Sequence, residues 1–146
     1  MAAPTDRPGE SSSDRPAPEI SNRRLREQSQ LDFEIEFLGR ILDRDPYFVD
    51  ALRVHGNNLA AKGQHARVLQ IDRRLVRLTP ENAIAWYNLA CTYAVLGMTE
   101  PAFSALQRSL ESGYRLIRRV RKDPDLKALH RDPRFGRLIR RFENLF

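Results

Sequence analysis

The chain has 146 residues, enough for one domain with a buried core, and its 41% hydrophobic and 30% charged residues have the balance of a globular protein. Its single cysteine, Cys91, excludes a disulfide framework, and no Cys/His cluster has zinc spacing. The formal net charge of +6 sits in the C-terminal quarter, where eleven Arg and Lys after residue 113 face only Asp123, Asp125, Asp132 and Glu143.

In chain order, residues 1–29 come first, poor in large apolar side chains and holding Pro4, Pro8, Pro16, Pro18 and the run from Ser11 to Ser13. Such a segment cannot offset its ordering entropy by burial, so a disordered tail is expected. It lacks an apolar h-region, and Asp6, Glu10, Asp14 and Glu19 argue against a mitochondrial-type presequence. No stretch approaches the roughly 20 apolar residues of a membrane helix, and a cytoplasmic protein is expected.

From Leu31, the positions Phe33, Phe37, Leu38, Ile41 and Leu42 mark one face of a helix that should end before Asp45-Pro46, itself a helix-start signal. A second helix is expected from about Tyr47 to Lys62, stopping at Gly63, and a third from about Gln64 to Leu78, with Val68, Leu69, Ile71, Leu75 and Val76 on its apolar side. The fourth spans residues 83–97, with Trp86, Leu89, Ala90, Tyr93 and Leu96 as its buried stripe. A fifth begins near Thr99 and tolerates Pro101 in its first turn. Asp123-Pro124 and Asp132-Pro133 then start two short helices, the last with Phe135, Leu138, Ile139 and Phe142 as an amphipathic stripe.

These elements repeat. Pro46 and Pro80 are 34 residues apart, as are Gly63 and Gly97, Leu52 and Trp86, and Leu59 and Tyr93. Arg40, Arg74 and Arg108 keep the register across three units, as do Leu42, Val76 and Leu110. A fixed period of this length with apolar residues at helical spacing marks stacked helix pairs, which bury their faces against one another and leave a concave binding surface.

Residues 83–112 resemble a tetratricopeptide repeat (TPR): Trp86, Leu89, Ala90, Tyr93, Gly97, Ala102, Leu106 and Ser109 fill its slots. In residues 49–82, Leu52, Gly56, Leu59, Gly63 and Pro80 fit, while His55 and Asp72 stand in slots that usually take apolar residues. Residues 30–46 look like the second helix of a preceding unit. The resemblance covers about residues 30–114 and implies an all-α, right-handed TPR-like solenoid of antiparallel helix pairs. Residues 115–146 are similar to the Asp-Pro-rich segment that follows the last repeat in some bacterial TPR proteins, and are read as basic capping helices.

The resemblance also places the candidate sites. The concave face would be lined by Asp50, Arg53, Asn57 and Ala61 from one unit and by Ile84, Tyr87, Asn88 and Cys91 from the next. Arg53, Asn57 and Asn88 match slots of the carboxylate-clamp TPR domains, so an acidic or carboxylate-ended peptide is one expected partner. The second candidate surface is basic: Arg118, Arg119, Arg121, Arg137, Arg140 and Arg141 form a solvated cap face, an acidic-partner site or, as the runner-up function, a nucleic-acid contact. The apolar stripe of the first helix, covered on one side only, is expected to support weak self-association. His55, His65 and His130 lie in separate elements without metal-ligand spacing, and no phosphate-cradling glycine loop occurs. The sequence therefore reads as a protein-binding module that is not an enzyme and needs neither cofactor nor metal.

Overall fold

The computed structural model describes residues 19–145, and every regular element among them is helical. The tail expected at residues 1–18 lies outside the described residues. Helix α1 (Glu19–Arg44) starts well before Leu31, so residues 19–29 are helical and not part of a tail. The chain has no proline between Pro18 and Pro46. Pairs one turn apart, Arg23 to Glu27 at 3.1 Å and Gln30 to Glu34 at 2.9 Å, support the polar turns. Residues 22–30 are exposed throughout; from Leu31 onward one side turns inward, through Ile35, Leu38 and Leu42.

Asp45-Pro46 opens a turn and not a helix. The Phe48 N–H donates to the Asp45 carbonyl at 3.3 Å, and α2 (Val49–Ala61) begins one residue later. The same device recurs a period on: the Asn82 N–H donates to the Thr79 carbonyl at 3.0 Å, and α4 (Ala83–Val95) follows. There the Asn82 side chain caps the helix, accepting from the N–H groups of Ile84 and Ala85 at 3.0 and 3.2 Å. Helices α3 (His65–Leu78) and α5 (Thr99–Glu111) also start 34 residues apart. Each follows a glycine with positive φ, Gly63 at 72° and Gly97 at 74°. There the chain reverses through a six-to-one hydrogen bond, Gln64 N–H to Leu59 carbonyl and Met98 N–H to Tyr93 carbonyl. The period read from the sequence is thus a period of helix boundaries.

Consecutive helices from α1 to α5 pack against one another. Leu42, Ala51, Leu52, Leu59, Val68, Ile71 and Leu75 form one core cluster. A second runs from Val76 and Ala85 through Leu106 and Leu110 into the C-terminal helices at Leu126, Leu129 and Ile139. Gly56 lets α2 approach α3 closely, since a Cβ there would meet the Ile71 side chain at 3.2 Å. Trp86 and Tyr93, expected in the buried stripe, stand half-buried at the core margin. Their polar atoms explain the position: the Trp86 indole N–H donates to the Pro80 carbonyl at 2.8 Å, and the Tyr93 hydroxyl accepts from Arg73 at 3.0 Å. Leu96, expected in the same stripe, is exposed beside the Gly97 turn.

Past Gly113 the chain forms α6 (Ile117–Lys122), a 3-10 turn (Pro124–Leu126), α7 (Lys127–His130) and α8 (Pro133–Glu143). Asp123 and Asp132 cap the starts of the turn and of α8, accepting from the N–H groups of Asp125 and Arg134 at 3.0 and 2.9 Å. Arg134 ties α8 to α5: it pairs with Glu100 and Asp132, each at 2.8 Å, and lies over the Phe103 ring. No helix among the described residues is long and apolar enough to cross a membrane.

Candidate functional site

One open pocket lies between α2, α3, α4 and the C-terminal segment, and Arg53, Asn57, Tyr87, Asn88 and Cys91 all line it. Arg53 and Asn57 reach it because they stand one helical turn apart on α2, on a face that adjoins that of the buried Leu52, Gly56 and Leu59. Asn88 does the same on α4. Three further expected lining residues do not join them. Asp50 stands to one side, 3.7 Å from the Arg53 guanidinium, while Ala61 and Ile84 face solvent away from the pocket.

Tyr87 is present but not open. It is almost fully buried, its ring stacked on Tyr114 with centroids 4.3 Å apart, its hydroxyl donating to Asp123 at 2.5 Å. The chain beyond Gly113 folds back over α4, so the expected concave surface is covered there by the protein itself. Burial and the Asp123 carboxylate both push the Tyr87 phenol upward, keeping it a donor at any ordinary pH.

Carboxylates missing from the sequence-based site complete the pocket. Asp72 on α3 is buried and accepts from the Thr92 hydroxyl at 2.7 Å. Burial pushes its carboxyl up to about 6, and the Thr92 hydrogen bond opposes the shift. Asp123 and Asp125 stand at the opposite rim beside Cys91, and donor atoms of these three residues lie within 4.8 Å of one another. Burial first, and then the two neighbouring carboxylates, hold Cys91 as a neutral thiol. It sits 3.9 Å from Asp123 as a weak hydrogen-bond donor. Asp123 links the other two, accepting from the Cys91 thiol and from the Asp125 backbone N–H. The pocket lining therefore carries both signs, Arg53 and Arg119 with the amides Asn57 and Asn88, and the carboxylates Asp72, Asp123 and Asp125. Asp72 had a signal in the sequence, an acid in an apolar slot between Ile71 and Leu75. Asp123 had none beyond its role as a helix start.

The six basic residues of the cap have different surroundings. Arg119 lies over the Tyr87 ring, Arg121 pairs with Glu143 at 2.6 Å, and Arg141 lies over Phe142. Arg118, Arg137 and Arg140 are exposed.

No family model matches the chain. It is similar to a protein of Arabidopsis thaliana whose name describes it as chloroplastic, with 42% identity over 69 residues, 47% of this chain and 21% of that protein. Weaker similarity, 26% over 57 residues, links it to the cell division cycle protein 16 homologues of mouse and human. That stretch covers 39% of this chain and 9% of each of theirs. The likeness is partial. This chain spans about a fifth of the plant protein and less than a tenth of the mammalian ones.

Proposed function

We propose that the chain is a TPR-like, right-handed solenoid of antiparallel helix pairs that binds an extended segment of a partner protein in its concave groove. What supports the reading is that Arg53, Asn57 and Asn88, from helices a full period apart, line one open pocket. A guanidinium and two amides together hold carbonyl or carboxylate oxygens by charge-assisted bonds. The acids on the far rim favour a segment that turns its N–H groups or a cationic side chain toward Asp123 and Asp125. A segment with an acidic residue or a free carboxylate fits only at the Arg53 end. This is a binding role and not an enzymatic one.

The partner is to be captured with the full chain as bait, in the presence of nuclease, and identified by mass spectrometry. Arg53→Ala is then expected to weaken binding by about 1.5–3 kcal/mol, the range for a hydrogen bond to a charged group. Unchanged affinity would remove the groove from consideration. A second reading places a nucleic-acid contact on the cap, where Arg118, Arg137 and Arg140 are exposed together with Arg141. It predicts affinity that falls steeply with salt and is lost on replacing Arg137, Arg140 and Arg141 by Ala. The compartment is proposed to be the cytoplasm, and a tagged full chain seen in a plastid would overturn that.

A further inference from the structure

Helix α1 carries an exposed ridge that the rest of the described chain leaves uncovered. Leu25, Ser29, Phe33 and Phe37 recur at four-residue spacing on the side away from Ile35, Leu38 and Leu42. Leu25 is 65% exposed, Phe33 64% and Phe37 54%, and the two phenylalanine rings stack on each other in solvent with centroids 6.1 Å apart. Residues 22–30 are exposed all around the helix, an arm reaching past the last inward-facing turn. A solvated helical arm of this length is marginal unless something packs on it. Residues 2–18 hold no large apolar side chain, so their sequence offers nothing to cover two phenylalanines.

The charge pattern names the occupant. Along α1, Arg23, Arg24 and Arg26 outnumber Glu19 and Glu27 in the first half, and Asp32, Glu34 and Glu36 make the middle acidic. We propose that α1 pairs with α1 of a second copy, antiparallel, about a two-fold axis crossing the helix at the level of Leu31. That register sets Leu25 of one copy against Phe37 of the other, and the small Ser29 against the Phe33 ring. It also brings Arg26 opposite Glu36, and the two-fold repeats each contact. Arg26 has no ion pair among the described residues, whereas Glu36 pairs only with Arg40, one turn along its own exposed surface. Exposed pairs of that kind contribute little, so Glu36 exchanges partners at small cost. A parallel pair would instead stack the basic halves together and the acidic middles together. The groove and the cap stay free in this arrangement, so it is independent of the binding reading above.

The test is sedimentation equilibrium of the full chain from low micromolar to about 1 mM, at low and at moderate salt. The wild type is expected to move from monomer to dimer across that range, and added salt should favour the monomer. Arg26→Glu alone and Glu36→Arg alone should each raise the dissociation constant by about tenfold, since two symmetry-related attractions become repulsions. The double variant Arg26→Glu/Glu36→Arg should return to within about threefold of wild type. Phe33→Ser/Phe37→Ser should stay monomeric with unchanged helical circular dichroism, as both side chains are exposed. A wild type that remains monomeric throughout, a dimer indifferent to both single reversals, or failure of the double reversal to restore pairing would each overturn the proposal.

Discussion

At the scale of single residues, two buried titratable groups pull stability in opposite directions with pH. Asp72 has its folded pKa raised to about 6, so the fold holds a proton that the unfolded chain releases above its ordinary 3.8. That preference stabilises the protein on the acid side and is lost as pH rises through about 6. His55 is buried with its Nδ1 atom unpartnered, and burial lowers its pKa. The unfolded chain therefore takes up the His55 proton more readily, and stability falls as pH drops below 6.5. Asp72→Asn separates the two effects. At pH 8 the variant is expected to be more stable than wild type by on the order of 2 kcal/mol, because no charge is buried. Near pH 4 that advantage should vanish, leaving the His55 loss visible. Urea unfolding at both pH values checks this, and equal stability at pH 8 would show that Asp72 is not charged in the fold. Tyr87→Phe should cost about 1–2 kcal/mol by the same measurement, since it leaves the Asp123 oxygen with only the weak Cys91 thiol as a buried donor.

At the scale of elements, the boundaries set by the period were legible in the sequence, and the start of α1 and the surroundings of the helices less so. Gly63 and Gly97 announced turns, and both take the left-handed conformation those turns require. Gly97→Ala should cost about 1–2 kcal/mol through backbone strain alone, because a Cβ there meets no atom within 4 Å. A thermal melt unchanged by that substitution would mean that the turn relaxes freely. Trp86, expected in the buried stripe, has a half-exposed ring with Arg108 above it, which lowers the expected cost of Trp86→Ala to about 2–3 kcal/mol, below the range for full burial. Denaturant titration measures this directly. The start of α1 at Glu19 is not legible in composition, which is polar there. The polar turns from Glu19 are supported by pairs one turn apart, Arg23 with Glu27 and Gln30 with Glu34, a pattern that low hydrophobicity conceals. The direction of the C-terminal segment was illegible for another reason. The contact between Tyr87 and Asp123 joins residues 36 apart across the point where the period stops, and no local rule fixes it.

At the scale of the whole molecule, the pocket is assembled from parts that lie far apart in the sequence. Arg53 and Asn57 belong to the helix of one core cluster, and Asn88 and Cys91 to the helix of the other. Asp123 and Asp125 belong to the segment folded back over them. A molecule seated there touches all three, so its binding free energy adds to the cooperativity of the entire fold and not to one helix. Melting temperature then becomes a chemistry-blind reporter of occupancy. A native-state ligand at a hundred times its dissociation constant should add about 2.7 kcal/mol to global stability, whether it sits in the pocket or on the basic cap face. Amide hydrogen exchange would tell the two sites apart by where protection rises: across α2, α4 and the returning segment together, or in α8 alone. Partners could thus be screened by heating the protein in mixtures before anything is known of their identity.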